Sequence, residues 1–338
     1  MTDPSPPPDP DAKELHAAAI VIDGVNVSVP TRERFGRMRD AGVTAVNVTL
    51  AITENQTEAA RALADWDRLL ADHADVVRPV RTPDDIRAAA AERRVGLIYG
   101  FQNGTPFEDE VGFVSQFARL GVRIVQPAYM TQSAIGCGCL EPTDSGLSAF
   151  GRDVIRELNA QGITIDLSHC GPQTTIDAIE TSTRPLLFTH ANARRLVDNP
   201  RNKTDEELIA LAEGGGVVGA VAFRSFLAPL TREAVLDDLL DHIDYFVELL
   251  GIDHVALSTD FTEGRPEGFL SRAFGRNAPP GVTPAWPWHG PRGFETVDDF
   301  PNVTSGLLSR GHSPEAVRKI LGENFLRVFE ETWISERA

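Results

Sequence analysis

The feature that most constrains the fold is a series of eight short apolar segments, each followed by a stretch with helical spacing of apolar residues. The segments are rich in β-branched residues and nearly continuous in apolar character, which is typical of strands buried on both faces of a parallel sheet. They occupy residues 19–24, 43–50, 95–101, 122–129, 163–169, 185–190, 217–223 and 254–261. Eight strands alternating with helices predict a (β/α)8 TIM barrel, and two doubly wound domains are the alternative.

Helix ends can be read directly between several of these segments. Ser148 and Gly162 bracket one helical stretch as its N-cap and C-cap, and Thr204, followed by acidic residues, begins another. Ser313 before Pro314 predicts the start of the last helix, because proline favours the first helical position.

The chain has 338 residues, and no change of composition divides it. We therefore expect a single barrel domain over residues 15–338, with an insertion at about 263–296 that is rich in Gly, Pro and Trp. Residues 1–14 are rich in Pro and Asp, which predicts a disordered lead-in without the apolar core of a secretory signal.

The formal net charge of −17 argues against a nucleic-acid partner and against an anionic membrane surface. No apolar run approaches the roughly 18 residues of a membrane span. The three cysteines, Cys137, Cys139 and Cys170, lack zinc-ribbon spacing and are interpreted as buried thiols, with a soft Cys/His metal site as the alternative. These features predict a reduced, cytoplasmic protein.

Polar residues stand at the ends of the predicted strands, the edge at which barrel enzymes place their active sites. They are Asp23, Asn26, Gln102, Asn103, Gln126, Tyr129, Asp166, His169, His190, Asn192, Arg224, Asp260 and Glu263. Because His169 and His190 end neighbouring strands, we expect their imidazoles to converge, and Asp260 would complete a two-His, one-carboxylate metal site. The alternatives are hydrogen-bonded core histidines and an aspartate that caps the following turn.

Six ordered motifs run along the chain between about residues 19 and 330: DGxN, GLSxFG, DLSH, THxNAR followed by PRNKTD, VxLSTDFTEG and GENFLRVF. Together they resemble the membrane (renal) dipeptidase family. The resemblance implies a barrel of the metal-dependent hydrolase type, a binuclear zinc site, hydrolysis of dipeptides and a homodimer.

Several metal ligands of that family are missing here. In active members the first strand ends DGHND, and its His and Asp bind one metal; Val25 and Val27 stand at those positions. Gln102 replaces a bridging glutamate, and Tyr129 replaces a substrate-binding histidine. Valine offers a cation neither charge nor lone pair, so the resemblance predicts at most one metal ion.

Other positions match the family. His169 and His190 correspond to the ligands of the second metal, Arg201 to the residue that grips the substrate carboxylate, and Asp260 to the carboxylate that handles the proton. Tyr129 and Asn103 are further candidates for substrate binding. The expected partner is therefore a small molecule that carries a carboxylate.

Three hypotheses follow for the altered site. The first is a hydrolase with one Zn²⁺ or other divalent ion at His169 and His190, with or without Asp260 as a ligand, and with weak or absent ordinary dipeptidase activity. The second is a metal-free enzyme that uses Asp260 and Tyr129, with Gln102 beside them, for acid/base chemistry on an amino-acid-derived substrate. The third is a non-catalytic binding or partner protein that keeps the pocket.

Overall fold

The computed structural model describes residues 10–273 and 289–333 of the chain. Its strands are β1 (Ile22–Asn26), β2 (Ala45–Ala51), β3 (Val77–Val80), β4 (Val95–Phe101), β5 (Val122–Val125), β6 (Thr164–Ile165), β7 (Leu187–Ala191), β8 (Val217–Val221) and β9 (Val255–Ser258). All paired strands are parallel, as the continuous apolar segments indicate.

The strands form two sheets that curl into one barrel. One sheet has the order β1-β2-β4-β5-β6, with β3 paired to β4, and the other has the order β7-β8-β9. A single bridge between Asp166 and Leu187 joins β6 to β7. Across the other gap, the Asp260 amide donates to the Val25 carbonyl at 2.9 Å, and the Val27 amide donates to the Phe261 carbonyl at 3.0 Å. The predicted (β/α)8 barrel is confirmed.

Each of the eight predicted strands is present, and β3 is an additional short strand. It contains Arg78 and Pro79, which interrupt the apolar run and hide its strand character in the sequence. β3 pairs with the first half of β4, whereas β5 pairs with the second half. The two short strands thus share one edge of β4.

The helices surround the barrel, and three single 3₁₀ turns lie at Thr105–Phe107, Ile252–His254 and Val297–Asp299. The helices are α1 (Pro10–Ala18), α2 (Arg32–Asp40), α3 (Gln56–Asp72), α4 (Pro83–Glu92), α5 (Gly112–Arg119), α6 (Ala149–Gln161), α7 (Pro172–Thr181), α8 (Asp205–Glu213), α9 (Arg224–Leu227), α10 (Leu236–Leu250), α11 (Phe269–Ala273), α12 (Phe300–Ser309), α13 (Pro314–Arg318) and α14 (Asn324–Thr332). Among the described residues, no helix combines the length and apolar character needed to cross a bilayer.

The predicted helix caps are confirmed by their hydrogen bonds. The Ser148 hydroxyl accepts from the backbone of the first turn of α6, and Gly162 ends that helix with φ of +69°. Thr204 forms a reciprocal capping box with Glu207 at the start of α8. Ser313 caps α13 directly before Pro314.

The structure bears on two predicted segments, the N-terminal lead-in and the insertion. Residues 10–14 belong to α1 and not to a disordered lead-in, because Ala12 is buried against the body of the protein. The predicted insertion at 263–296 includes residues 274–288, which lie outside the described residues. Its described part contains α11.

The bottom of the barrel, opposite the mouth, is filled from one side by α14. Phe325 and Phe329 pack against residues from the beginnings of the strands, including Ile22, Leu187 and Val217. A five-residue π-helical turn, Lys319–Glu323, separates α13 from α14. This turn lets the helical segment approach the barrel closely.

Gly322 makes that close approach possible. A Cβ atom at this position would lie 2.5 Å from the Ile20 carbonyl oxygen and 2.9 Å from the Ile22 amide nitrogen. Both contacts are with backbone atoms of the first strand region, which cannot move aside easily. A residue larger than glycine would therefore push α14 away from the barrel.

Candidate active site

The two predicted histidines meet at the mouth of the barrel. His169 follows β6 and His190 lies in β7, and their Nε2 atoms are 3.0 Å apart. Both side chains are buried, with residue exposures of 2% and 0%. The expectation that neighbouring strand ends bring these imidazoles together is confirmed.

A buried carboxylate joins the two strands that carry the histidines. Asp166 accepts hydrogen bonds from the amide and hydroxyl of Ser168 at 2.9 and 2.5 Å. It also accepts from the amide and hydroxyl of Thr189 at 3.0 and 2.6 Å. We call this group, Asp166, Ser168 and Thr189, the β6/β7 junction. It replaces the backbone ladder that the two sheets lack here, and burial raises the pKa of Asp166.

The hydrogen bonds of the junction define the tautomers of the histidine pair. The Thr189 hydroxyl donates to Asp166, so it accepts from Nδ1–H of His190 at 2.7 Å. The lone pair on His190 Nε2 therefore accepts from Nε2–H of His169. His169 Nδ1 is buried and has no hydrogen-bond partner among the described residues.

Two buried cations lie next to the histidine pair. Both guanidinium Nη atoms of Arg201 donate to backbone carbonyls, one to Ser168 and the other to His190, the latter at 2.8 Å. Lys203 pairs with Glu207 at 3.0 Å. Burial, together with these positive charges, lowers the pKa of His169 and of His190 well below the usual value, so both imidazoles are neutral near pH 7.

A second buried carboxylate joins β9 to β1. Asp23 accepts from the Thr259 amide at 2.8 Å, from the Thr259 hydroxyl at 2.6 Å and from the Asn26 side chain at 3.2 Å. We call this group, Asp23, Asn26 and Thr259, the β9/β1 junction. Burial raises the pKa of Asp23 to about 6. Asp23 and Asn26 are thus structural links at the mouth.

The two valines lie directly beside this junction. Val25 is completely buried, and its amide donates to the Ser258 hydroxyl at 3.0 Å. Val27 is 5% exposed. The positions that resemble the first metal site of the family are therefore occupied by buried, branched aliphatic side chains.

Asp260 differs from the other carboxyl groups at the mouth. It adopts a left-handed backbone conformation with φ of +51°, which is uncommon for residues other than glycine. Its side chain is partly exposed and forms no hydrogen bond within the described residues. Burial raises the pKa of Asp260 to about 7, with the Arg201 charge opposing and the Asp23 charge adding to the shift.

The remaining candidates lie around these groups. The Tyr129 ring stacks on His169, with ring centroids 4.0 Å apart, and burial raises the pKa of its phenol. The Gln102 amide donates to the Thr49 hydroxyl at 2.7 Å. The Asn103 side chain accepts from the backbone amide of the next residue at 2.9 Å and so supports its own turn.

Three other strand-end residues, Gln126, Asn192 and Glu263, serve the scaffold, and Arg224 does not. Gln126 accepts from the His169 amide at 3.2 Å, and Asn192 exchanges two hydrogen bonds with the backbone of Val221. Arg224 is exposed at the start of α9 and does not join the site. Glu263 forms ion pairs with Arg34 and Arg37 of α2.

The cysteines form no disulfide. The interpretation as buried thiols is confirmed for Cys137 and Cys170, whereas Cys139 is partly exposed. The Cys139 sulfur lies 3.8 Å from the Met130 sulfur. Burial raises the pKa of Cys139, and it raises the pKa of Cys170 to about 12, so neither is a ready thiolate ligand for a metal.

A binuclear metal centre does not fit this residue set. Val25 and Val27 supply no ligand, and Gln102 uses its amide nitrogen on Thr49. Within residues 10–273 and 289–333, no three His, Cys, Asp or Glu side chains come together in a group able to hold a metal ion. His169 and His190 supply two nitrogens, whereas catalytic zinc sites take three protein ligands.

Three hydroxyl residues of the site are absent from the predicted set: Ser168, Thr189 and Thr259. Each lies next to a predicted residue, and Thr189 and Thr259 directly precede His190 and Asp260. The sequence signal for them is a hydroxyl residue directly before the polar residue at each strand end, as in the Ser-His, Thr-His and Thr-Asp pairs. The buried Lys203, within the PRNKTD motif, is also missing from the prediction.

Comparison with known proteins agrees with this architecture. The family model of membrane dipeptidase, peptidase family M19, matches residues 12–271 and 287–337. An amidohydrolase from Pseudomonas aeruginosa is similar in structure, with 39% identity, coverage of 95% of this chain and 99% of that one, and a TM-score of 0.91.

Two further relatives are more distant. A metallo peptidase from Rhodobacter sphaeroides, solved with a phosphinate mimic of L-Ala-D-Ala, has a TM-score of 0.77 with 22% identity over 93% of this chain and all of that one, a likeness in fold. Dipeptidase tcpJ of Claviceps purpurea is 29% identical over 78% of this chain, and the match spans 57% of its own length. Since the family model covers most of the described barrel, the chain belongs to the membrane dipeptidase family, peptidase family M19.

Proposed function

We propose that this chain is a hydrolase that acts on a small, amino-acid-derived substrate carrying a carboxylate, with at most one metal ion. Asp260 carries the proposal. It is the carboxyl group at the mouth that combines partial exposure, a pKa of about 7 and no hydrogen-bond partner among the described residues. A group with these properties is suited to take and return a proton near neutral pH.

Asp260 supplies the acid/base chemistry in the proposed reaction. The ionised carboxylate takes a proton from water as the water oxygen attacks the carbonyl carbon of the scissile amide. When the C–N bond of the tetrahedral intermediate breaks, the same proton passes from Asp260 to the leaving nitrogen. Tyr129, whose raised pKa keeps its phenol protonated, is the proposed hydrogen-bond donor to the substrate.

Arg201 supports the choice of an anionic substrate. Its guanidinium is fully buried, and it forms no salt bridge within the described part of the chain. Two of its N–H groups are used on backbone carbonyls, and the Phe226 ring lies 5.3 Å from the guanidinium carbon. A buried positive charge without a carboxylate partner favours an anion at the mouth.

The relatives support an amide-type substrate. Among them are proteins named as a dipeptidase and as an amidohydrolase, and one metallo peptidase binds a mimic of a dipeptide. The chain spans about 57% of the length of dipeptidase tcpJ, so the substrate of that protein enters here as a proposal only. A cytoplasmic homodimer stays a prediction of the sequence.

The test is a substrate panel of dipeptides and N-acyl amino acids, assayed with wild type and with Asp260→Asn. We expect kcat/KM to rise with pH and to level off above about 7, because the base works only when ionised. The variant should lose about 10²–10⁴-fold in kcat, the usual contribution of a positioned acid/base group. The Asp198→Asn variant, with a side chain 85% exposed, is the matched control. Unchanged kcat in Asp260→Asn would contradict the proposal.

A further inference from the structure

We infer that His169 and His190 form a metal-free, hydrogen-bonded imidazole pair, and that this chain holds no resident divalent metal at its mouth. The relevance of this inference to catalysis rests on the proposed function. It goes further than that function because it replaces at most one metal ion with none. It depends on three independent features of the described residues: the supply of ligands, the neighbouring charges and the hydrogen bonds of the pair.

The first feature is the supply of ligands. Besides the two imidazole nitrogens, the side chains at the family's ligand positions are Val25, Val27 and the neutral Gln102. The valines are buried, and their side chains offer a cation no lone pair. Asp260, the carboxylate considered as a third ligand, does not form a metal-binding group with the two histidines among the described residues, so no carboxylate there balances a dication.

The second feature is the positive charge next to the pair. The Arg201 guanidinium donates to the His190 carbonyl and is itself completely buried. The charge of Lys203 is matched by Glu207, whereas that of Arg201 has no such match within the described ranges. Repulsion between Arg201 and a dication is weakly screened in a buried site, and with Val25, Val27 and Gln102 at the family's ligand positions no ligand charge there offsets it.

The third feature is the direction of the hydrogen bonds. Asp166, Thr189 and His190 form a chain that fixes the proton of His190 on Nδ1 and leads His169 to donate from Nε2. Metal binding at both Nε2 atoms would move the His169 proton to Nδ1, which is buried without an acceptor among the described residues. Histidines that bind metals normally donate their second N–H to a carboxylate or carbonyl. His169 has no such acceptor at Nδ1 among the described residues, so it lacks the hydrogen bond that a metal-binding histidine needs.

The pair has a structural use without a metal. The carbonyl of His190 and that of Ser168, directly before His169, receive the two Nη atoms of Arg201. Fixing the two imidazoles against each other fixes these carbonyls as well. The pair therefore positions Arg201, the residue proposed to attract the substrate carboxylate.

The test measures metal content separately from activity. Wild-type full-length protein is produced in medium supplemented with zinc, passed through gel filtration and analysed for zinc, manganese and cobalt by mass spectrometry. We expect no stoichiometric metal, and no shift of the Tm on addition of zinc or of a chelator. The His190→Asn variant is the matched control: zinc bound equally by both proteins lies elsewhere and supports the inference.

Stoichiometric zinc that is present in wild type and lost in His190→Asn would overturn the inference. A gain-of-ligand variant, Val25→His with Val27→Asp and Gln102→Glu, should take up zinc and gain Tm with it. If the folded variant stays free of metal, the attribution to these three positions is wrong. If it does not fold, the wild-type measurement still decides. If the wild-type protein contains no metal and has no activity on any substrate, the proposed function is wrong, but the inference of a metal-free histidine pair stands.

Discussion

The two junctions that close the barrel are built alike but carry different chemistry. At each of them a buried aspartate on one strand accepts from both the amide and the hydroxyl of a threonine on the next. At the β6/β7 junction the neighbouring side chains are the two imidazoles. At the β9/β1 junction they are Val25, Val27 and Asp260.

The difference shows that closing the barrel and binding a metal are separate tasks in this chain. Asp23 and Asp166 hold the strands, and they keep their hydrogen bonds whether imidazoles or valines stand beside them. Ligand positions next to a junction can therefore change without opening the barrel. If the two junctions are alike, removing either aspartate should destabilise the barrel.

The largest effect is expected from removing the junction carboxylates. Asp166→Ala leaves four buried donors from Ser168 and Thr189 without an acceptor and should cost about 3–5 kcal/mol of unfolding free energy. Asp23→Ala removes an acceptor from three donors, of which the Asn26 amide and the Thr259 hydroxyl keep a second partner, and it should cost about 1–3 kcal/mol. Urea unfolding measures both values. A larger loss for Asp23→Ala would show that the β9/β1 junction is the stronger one.

A smaller, pH-dependent effect is expected at Asp260. Its pKa in the folded protein, about 7, lies above that of an ordinary aspartate, so the folded state binds the proton more tightly than the unfolded state. The stability from this protonation is present at low pH and is lost as the pH rises to about 7. Asp260→Asn should therefore gain about 1–3 kcal/mol over wild type at pH 8 and little at pH 4.

Thermal unfolding across this pH range is the measurement for Asp260. The Asp198→Asn variant should follow the wild-type pH dependence, because its side chain is exposed. A gain that is equal at pH 4 and pH 8 would mean that the charge of Asp260 is not the cause. A carboxylate that weakens the fold near neutral pH is expected of a functional group.

The smallest effect is expected at Cys139, on the histidine side of the mouth. Cys139→Ser replaces a sulfur that contacts Met130 in a small apolar cluster. We expect a loss of about 0.5–1 kcal/mol and unchanged metal content and kcat. A lower metal content in this variant than in wild type would support a soft Cys/His metal site. It would also mean that the two junctions differ in metal binding.

The sequence predicts the barrel well because its signals are local. Strand segments are marked by apolar runs, and Ser148, Thr204 and Ser313 mark helix starts through side-chain hydrogen bonds to the first turn. The strand around residue 163 is shorter than predicted, since β6 ends at Ile165. From Asp166 onward, side-chain hydrogen bonds replace the ladder, and no local pattern encodes that exchange.

The sequence identifies most residues of the site but not the contacts between them. His169, His190 and Asp260 are found from strand ends and from family motifs. That Arg201 would be fully buried, with its Nη atoms on backbone carbonyls, depends on how two distant loops pack. The burial of Lys203 is not predictable either. Its partner Glu207, four residues later, can be recognised in the sequence, but the burial of the pair cannot.

The closure of the barrel bottom by α14 has a consequence for synthesis on the ribosome. Phe325 and Phe329 reach strand beginnings such as Ile22, which leave the ribosome about 300 residues earlier. Until they arrive, the apolar lower end of the growing barrel has no cover and is open to unwanted association. Gly322 sets the depth of the seal, so a nascent chain with a bulkier residue there would expose that end even after release. The demand for a folding helper in the cell should therefore depend on this one glycine.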